Sequence, residues 1–333
     1  MSILVTGGAG YIGSHTVRRL QADGADVVVL DSMEFGYPQS IPGVPLVVAD
    51  IADADAVTAV CKEYGATQVV HFAAYKSVGE SMERPSRYWL NNVAGTVKMV
   101  DTLLGVGVNQ LVFSSSCSVT GTPDSMPVTE QTPIHPESVY AESKAIVERI
   151  LGWYDVTDGL CSVSLRYFNA AGASLDGAFG EVWDHSSNLV PVAMKAALGQ
   201  RPPLEVFGND YDTPDGTCIR DYIHIDDLAD AHVKALDYLA NGGQTISLNV
   251  GTGVGSSVLD VISSTERIAG IPVPFEIAPR RSGDPVATYA DPALIQETLG
   301  WHATKSLDDI IASAWLWHST HPGGYQPESM RPE

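Results

Sequence analysis

A tyrosine and a lysine four positions apart are the residues of this sequence with the clearest chemical use. Tyr140 and Lys144 form a Y-x-x-x-K pattern, and residues with this spacing lie on one face of a helix. A free tyrosine has a pKa of about 10, which is too high for an efficient base at neutral pH. A lysine ammonium beside the phenol favours the phenolate, so the pair predicts an acid/base group.

An apolar run that ends in serines precedes this pair. Residues 114–116 are all serine, and one hydroxyl there can bind the same substrate oxygen as the tyrosine. A lone Y-x-x-x-K pattern is common by chance and can be a surface pair on an amphipathic helix. Behind a dinucleotide-binding pattern, the combination predicts a site for hydride transfer.

A glycine-rich turn near the start of the chain supplies that dinucleotide pattern. Residues 7–13, Gly-Gly-Ala-Gly-Tyr-Ile-Gly, fit both G-x-G-x-x-G and G-x-x-G-x-x-G between an apolar strand and a helix. Such glycines allow a tight turn, a close approach of the backbone to a pyrophosphate, and close packing of helix on strand. The helix N-terminus then offers N–H donors to the phosphates.

Two aspartates at the ends of later strands extend this prediction. Asp31 ends the second strand, where a carboxylate can accept hydrogen bonds from the adenosine ribose and repel a 2′-phosphate, which favours NAD over NADP. Asp50 and Ile51 end the third strand and can hold the adenine. Alone, either aspartate could be a turn or helix-cap residue; together with the glycine turn they predict cofactor binding.

Alternating strands and helices are predicted to hold these residues. Apolar runs predict strands at residues 3–6, 26–30, 45–49, 68–72, 110–115 and 162–167. Helical patterns lie at residues 11–22, 55–64, 88–104 and 139–154. This order predicts an α/β fold with a doubly wound parallel sheet, a Rossmann-type NAD-binding domain over residues 1–170.

Beyond residue 170 the alternation breaks and glycine and proline become denser. Helical patterns return at residues 189–199, 225–239, 258–270 and 307–317. Residues 171–333 are therefore predicted to form a smaller C-terminal α/β lobe that binds the substrate, and the chain can cross between the two lobes more than once.

The composition of the chain narrows the classes of molecule that it can bind. The chain has 333 residues and a formal net charge of −21, without the basic stripe that a nucleic-acid partner needs. No apolar run reaches the roughly 18 residues of a membrane helix, and the first residues lack the pattern of a signal peptide. We expect a cytoplasmic protein with a small-molecule substrate, reduced cysteines and no metal site, since no C-x-x-C pair or His cluster has ligand spacing.

The whole pattern resembles the extended short-chain dehydrogenase/reductase family and, within it, the UDP-galactose 4-epimerases. The resemblance covers nearly the whole chain. In the NAD-binding half it lies in residues 5–16, 71–74 and 76–81. The segments that separate this family from other nucleotide-fold enzymes are residues 166–169, 207–211, 215–217, 220–224 and 278–284.

The resemblance implies roles at matching positions. The catalytic group would be Ser116, Tyr140 and Lys144. NAD would be contacted by Gly7, Gly10, Tyr11, Ile12, Gly13, Asp31, Ser32, Asp50, Ile51, Phe72, Ala73, Ala74, Lys76, Asn91, Ser116, Tyr140, Lys144 and Phe168. The UDP-sugar would be contacted by Lys76, Ser116, Tyr140, Asn169, Asn188, Leu189, Glu205, Val206, Phe207, Arg220, Arg281, Asp284 and Thr288. Forked arginine donors suit a pyrophosphate, although without the resemblance both arginines would be ordinary ion-pair residues.

The resemblance also implies a mechanism and an assembly. Tyr140 would remove the proton from the sugar O4 while the C4 hydride moves to NAD, and the 4-keto sugar would turn over before the hydride returns to its other face. UDP-galactose and UDP-glucose would thus interconvert, in galactose metabolism, with NAD retained throughout. Members of the family are commonly homodimers, paired here through the helices at residues 88–104 and 139–154.

Two positions depart from the family pattern. Thr120 stands where the family often has a tyrosine, close to Ser116. Thr288 aligns with a position where some bacterial members have a bulky tyrosine that closes the sugar pocket. The smaller residue predicts room for an N-acetyl group, so that UDP-N-acetylglucosamine and UDP-N-acetylgalactosamine would also be substrates.

Three other functions are alternatives to the epimerase activity. A 4,6-dehydratase would need an acid/base pair beside the catalytic serine, and residues 115–118 contain no carboxylate. A UDP-glucuronate epimerase or decarboxylase would need a further group for the sugar carboxylate, and the sequence leaves it open. A non-catalytic NAD-sensing protein on the same fold tends to lose the tyrosine or the lysine, both of which are present here.

Overall fold

The strands and helices are known for most of the chain. The computed structural model describes residues 2–182, 186, 188–281 and 283–325. The strands are β1 (Ser2–Thr6), β2 (Asp26–Asp31), β3 (Leu46–Val48), β4 (Ala66–His71), β5 (Gln110–Ser114), β6 (Cys161–Tyr167), β7 (Asn169–Ala171), β8 (Leu204–Phe207), β9 (Ile219–His224), β10 (Ile246–Val250), β11 (Gly255–Ser257), β12 (Phe275–Ala278) and β13 (Ala287–Thr288). The α-helices are α1 (Tyr11–Ala22), α2 (Ala54–Tyr64), α3 (Val78–Glu83), α4 (Pro85–Tyr88), α5 (Thr96–Gly105), α6 (Val139–Asp158), α7 (Leu189–Ala197), α8 (Ile225–Ala240), α9 (Val258–Ala269), α10 (Ala293–Leu299) and α11 (Leu307–Thr320).

A seven-stranded parallel sheet forms the centre of the molecule. Its strand order is β10-β6-β5-β4-β1-β2-β3, and every neighbouring pair is parallel. The order reverses at β1, which lies between β2 and β4, and ligands bind at the carboxyl ends of the strands at such a switch point. The predicted doubly wound parallel sheet is confirmed.

Two apolar layers cover the faces of this sheet. Val5 and Val29 pack with helices α1 and α8 on one face, while Leu4 and Val28 pack with α2, α5 and α6 on the other. Neighbouring residues of one strand therefore enter different cores, as the period of two in a strand requires. Both faces are apolar, so the strands appear in the sequence as nearly continuous runs of Val, Ile and Leu.

One strand of the large sheet was missed by sequence reasoning. Strand β10 pairs in parallel with β6, with Leu248 opposite Leu165, although it lies in the half assigned to the substrate lobe. Its run Ile-Ser-Leu-Asn-Val is short and half polar, which hid the strand. The chain thus crosses back to the large sheet through α8 and β10. The division at residue 170 itself stays a prediction.

A smaller group of strands follows the carboxyl end of the large sheet. Strand β9 pairs with β11, β13 and β7, and β8 pairs with β12. Helices α7, α9 and α11 cover these strands through Met194, Val261 and Ile310. These elements carry most of the residues predicted to hold the UDP-sugar.

A buried aspartate on β9 connects the small strands to the large sheet. The Asp221 carboxylate accepts hydrogen bonds from the backbone amides of Thr252, at 3.0 Å, Gly253, at 3.1 Å, and Ala290, at 3.2 Å. It also accepts one from the Thr252 hydroxyl, at 2.6 Å. Since residues 252 and 253 lie just beyond the end of β10, this carboxylate joins the small strands to the large sheet.

The predicted helix at residues 88–104 is interrupted in the structure. Residues Trp89–Gly95 form a π-helical segment between α4 and α5, a feature that is frequent at functional sites. There the Asn92 side chain accepts a hydrogen bond from the Tyr75 amide at 2.9 Å and donates one to the Tyr75 carbonyl at 3.0 Å. The segment thereby fixes the loop that follows β4. Over the described residues, no helix is long and apolar enough to span a membrane.

Candidate active site

The switch point of the large sheet opens into a cavity of about 510 Å³. Its wall is formed by the loops that follow β1, β2, β3 and β4, together with the first turns of α1 and α6. This volume lies in the usual range for ligand pockets, about 300–1,000 Å³. The carboxyl ends of the parallel strands therefore form one elongated site.

Close backbone contacts explain the glycines at one end of the cavity. Gly7 has φ +72°, and a Cβ atom there would lie 2.6 Å from the Ala73 amide nitrogen, at the end of β4. A Cβ atom on Gly13 would lie 2.3 Å from the Gly7 carbonyl oxygen. No larger residue fits at either position without displacing backbone. The N-cap of α1 is Gly10, which has no side chain to cover the first amides of the helix.

The Asp31 carboxylate lies beside this turn. It accepts hydrogen bonds from the Ala9 amide at 3.0 Å and the Met33 amide at 2.9 Å. Burial raises the pKa of Asp31, while these two backbone hydrogen bonds act in the opposite direction. The carboxylate faces the cavity and retains lone pairs that can accept hydrogen bonds from ligand hydroxyls.

Most residues predicted to contact NAD lie in the wall of this one cavity. Those in the wall are Gly7, Gly10, Tyr11, Ile12, Gly13, Asp31, Ser32, Asp50, Ile51, Phe72, Ala73, Ala74, Lys76, Asn91, Tyr140 and Lys144. The wall does not include Ser116 or Phe168. Phe168 is buried instead against Val128 and Ala290.

These groups fit a dinucleotide. The bare amides at the start of α1 suit phosphates, the Asp31 carboxylate suits ribose hydroxyls, and Ile51 and Phe72 supply apolar wall for a planar ring. Within the described part of the chain, no group of three His, Cys, Asp or Glu side chains could hold a metal ion.

The predicted catalytic pair is buried at the other end of the cavity. Ser138 caps α6 by accepting a hydrogen bond from the Ala141 amide at 3.2 Å, so Tyr140 lies in the first turn. Lys144 follows one turn later, and its Nζ donates to the Ser114 carbonyl oxygen at 2.7 Å. That Nζ lies 5.9 Å from the centre of the Tyr140 ring and 4.8 Å from that of Phe113.

Burial shifts the two members of the pair towards their uncharged forms. The pKa of Tyr140 is raised well above its usual value, first by burial and then by the nearby Tyr167, whereas a hydrogen bond with Ser116 lowers it. Burial lowers the pKa of Lys144 to about 7, against the opposing effect of Glu148. Tyr140 therefore needs added positive charge beside it before it can act as a base near neutral pH.

The predicted UDP-sugar residues form a separate group on the small strands. Arg220 donates to the Pro285 carbonyl at 2.9 Å and lies 3.5 Å from the Asp284 carboxylate. Thr288 is opposite Arg220 in the β13–β9 pair, and its buried hydroxyl has no partner among the described residues. The segment from Arg281 to Asp284 joins this group to Phe207, since Arg281 stacks 3.7 Å from the Phe207 ring; Ser282 lies outside the described residues.

The remaining predicted substrate residues lie around this group. Glu205 and Val206 belong to β8, Asn188 is the N-cap of α7 and Leu189 its first residue. Asn169 donates to the Asp221 carbonyl oxygen at 2.9 Å. Of the residues predicted for the sugar nucleotide, Lys76 and Tyr140 also line the cavity.

Known proteins have the same fold and a similar sequence. Residues 3–251 match the NAD dependent epimerase/dehydratase family. The UDP-glucose 4-epimerase of Halalkalibacterium halodurans is 44% identical over 330 residues, 99% of this chain and 99% of that protein. The crystal structure of UDP-glucose 4-epimerase from Brucella ovis in complex with NAD is 44% identical, with a TM-score of 0.93 over 94% of this chain and 97% of that chain.

The chain belongs to the NAD dependent epimerase/dehydratase family. The predicted membership of the UDP-galactose 4-epimerases is confirmed, and so are the isomerase class and NAD as the cofactor. A further structural relative is the UDP-Glc/GlcNAc 4-epimerase of Campylobacter jejuni, which is 37% identical with a TM-score of 0.85 over 96% of this chain and 99% of that chain.

Several residues in the wall of this epimerase cavity were not predicted. They are Glu34, Tyr75, Tyr167, Glu181 and Tyr325. No local spacing could have found them, because they come from five distant segments. Glu181 is almost completely buried and lies 3.3 Å from Lys76.

Glu34 and Tyr75 belong to a clamp of side chains at the wall of the cavity. The Tyr75 hydroxyl donates to the Glu34 carboxylate at 2.6 Å. Arg87 bridges Glu34 and Glu80, and its guanidinium lies 3.8 Å from the centre of the Tyr75 ring. The clamp, Glu34, Tyr75, Glu80 and Arg87, ties the loop after β2 to helices α3 and α4 over the cofactor cavity.

Replacing Glu34 with alanine should weaken NAD retention. Partly exposed bridges contribute about 1 kcal/mol or less, so we expect about a 2- to 5-fold rise in the NAD dissociation constant of the E34A variant. Calorimetric titration of the cofactor-free protein with NAD measures it. Glu83→Ala, the loss of another exposed glutamate, on neighbouring α3, is the control, and equal affinities in the two variants would contradict a role for the clamp.

Proposed function

We propose that this epimerase interconverts UDP-galactose and UDP-glucose with Tyr140 as its acid/base group. The observation that carries the proposal is that Tyr140 and Lys144 are buried together in the wall of the cavity that begins at the glycine turn. UDP-glucose 4-epimerase is also the activity named for the relatives at 41–44% identity over nearly the whole chain. One site thus combines a cofactor cavity with a titratable group at its end.

The residues that would hold NAD follow the length of the cavity. The first amides of α1 would hold the pyrophosphate and Asp31 the adenosine ribose, while Tyr140 and Lys144, at the other end of the cavity, would act beside the nicotinamide. When bound, NAD would supply the acceptor, and then the donor, of the C4 hydride.

Tyr140 carries the proton in both half-reactions. As a phenolate it removes the O4 proton when C4 is oxidised, and as a phenol it gives that proton back when C4 is reduced. Lys144 supplies positive charge beside the phenolate, and Ser116, which lowers the pKa of Tyr140, helps hold O4. Proton and hydride both return to the sugar, so the net change is the configuration at C4.

Substrate recognition is assigned to the small strands. Arg220 and Arg281 offer forked donors to the diphosphate, and Phe207 and Asp284 adjoin them. These groups grip the nucleotide, whereas the sugar extends towards Tyr140 with fewer contacts. Firm binding of UDP and loose binding of the ring let the 4-keto sugar turn over without leaving.

N-acetylated sugars form a second proposed substrate class. Thr288 is buried beside Arg220, and threonine is much smaller than the tyrosine found there in some family members. The UDP-Glc/GlcNAc 4-epimerase of Campylobacter jejuni is a structural relative, which supports acceptance of the larger sugar.

We also propose a cytoplasmic homodimer. Three large apolar residues on the π-helical segment and α6 are strongly exposed: Leu90 at 70%, Trp153 at 68% and Val156 at 75%. Large apolar residues left exposed on two neighbouring helices indicate a protein interface, and a second copy that pairs the same two helices would cover them.

Changing Tyr140 to phenylalanine removes the proton-transfer oxygen and leaves the ring in place. Turnover of UDP-galactose should fall at least about 10²-fold, the range for loss of an acid/base group, with NAD still bound. Proton NMR of the anomeric signals, with no NAD added, measures turnover. Tyr154→Phe on the same helix is the control, and near-parental turnover in Y140F would eliminate the proposed base.

A tyrosine at Thr288 should restrict the sugar pocket. We expect T288Y to lose UDP-N-acetylglucosamine turnover at least about 10-fold more than UDP-glucose turnover, because added bulk rejects only the larger sugar. The ratio of the two kcat/KM values is the readout, and T288S is the control. If the parent protein, active on UDP-glucose, never turns over UDP-N-acetylglucosamine, this substrate class is wrong.

A charge among the exposed apolar residues of α6 should separate the two copies. Trp153→Glu places a carboxylate where the partner helix would pack, so we expect the mass from light scattering to halve relative to the parent. A parent protein that elutes as a monomer at micromolar concentration would refute the proposed dimer.

A further inference from the structure

Three consecutive serines at the end of β5 are fixed by one face of α6. The Ser114 carbonyl accepts a hydrogen bond from Lys144 at 2.7 Å, and the Ser115 hydroxyl donates to the Glu148 carboxylate. Ser116 acts on Tyr140 by lowering the pKa of its phenol. Residues 140, 144 and 148 recur every four positions, so they form one stripe along the helix. The reacting end of the site is therefore docked onto α6 at two successive residues, Ser114 and Ser115.

Glu148 is the member of this stripe that the acid/base mechanism leaves without a role. Its side chain is 7% exposed, and Arg166 on β6 clamps it through Nε, at 3.0 and 3.1 Å from the two carboxylate oxygens, and Nη2, at 2.5 Å. Ser247 on β10 lies 3.5 Å from the same carboxylate. Glu148 thus connects α6 to three strands of the large sheet.

A buried carboxylate at this position acts on the lysine one turn away. Burial disfavours the cationic form of Lys144, and the negative charge of Glu148 opposes that effect. Arg166 weakens this effect of Glu148 on the pKa of Lys144, because the guanidinium neutralises much of the carboxylate charge. Its Nη1 is buried without a hydrogen-bond partner among the described residues, so the arginine is held mainly by Glu148.

We propose that Glu148 is a positioning residue for the catalytic group: it docks the serine-ended strand onto α6 and provides a negative charge that favours the cationic form of Lys144. The proposal rests on the functions proposed above for Tyr140 and Lys144. Glu148 acts through Ser115 and Lys144 and would not touch the substrate.

Further side chains lie around the Tyr140–Lys144 pair. Tyr140 shares its helix, and the Phe113 ring of β5 packs against the ammonium. His71 on β4 is held neutral, its pKa lowered to about 3 by burial and then by Lys144 itself. Tyr167 on β6 is held protonated, its pKa raised to about 12 by burial. Near neutral pH the anionic contribution to Lys144 therefore comes from Glu148.

Glu148→Gln tests the charge while keeping the shape and an acceptor for Ser115. Without the negative charge, the pKa of Lys144 falls further, so the cation is lost at lower pH. We expect kcat for UDP-galactose at pH 8 to drop about 10-fold, and the high-pH limb of the kcat profile to move down by about one pH unit. KM should stay within about twofold. Glu142→Gln, an exposed change on the same helix, paired with Arg149, is the control and should match the parent.

Ser115→Ala tests the docking contact between β5 and α6 without changing the charge of Glu148. It also tests the proposal if E148Q does not fold. It removes the hydroxyl that reaches Glu148 and leaves the ion pair intact, so we expect about a 3- to 10-fold lower kcat with the high-pH limb unmoved. The proposal would be overturned if S115A kept the parental kcat. It would also be overturned if the kcat of E148Q fell equally at every pH, so that the high-pH limb of its profile did not move. Failure of the underlying function is distinguishable, because it would appear as undiminished turnover in Y140F.

Discussion

The absence of a side chain at Gly7 is the constraint on which this site depends. The turn after β1 passes so close to the end of β4 that a single added carbon would meet the Ala73 amide at 2.6 Å. That approach brings α1 to the switch point with its first amides facing the cavity. The adjoining loops, including the one fixed by the π-helical segment, then lie within reach of one bound dinucleotide.

Burial is the second determinant of the chemistry. The same exclusion of water that strengthens hydrogen bonds inside the site also favours a neutral Tyr140 and a neutral Lys144. The site therefore becomes reactive only when other charges offset this cost. The chain contributes one such charge through Glu148, and a cationic nicotinamide ring adds another when NAD is bound.

Much of this arrangement could be predicted because its physical signals are local. The glycine spacing, the apolar strands and the four-residue step from Tyr140 to Lys144 lie within short windows, and α1 was placed with the right ends. The clamp of Glu34 and Arg87 could not be found in this way, because its members meet only after folding. Strand β10 was missed because it is only five residues long and lies beyond residue 170, where the regular alternation of strands and helices breaks. The pairing of Lys144 with the Ser114 carbonyl depends on how α6 lies against β5.

The return of the chain through α8 and β10 has a consequence for how the molecule is assembled. The first 170 residues do not contain all of their own domain: without β10 the edge of β6 would be unpaired, and without α8 the apolar face of α1 would be open to water. During synthesis the NAD-binding half can reach its final form only after residue 250 has emerged. Most residues of the cofactor site come early in the sequence, yet the site forms late in time, and until then its unfinished sheet edge is exposed to pairing with other chains.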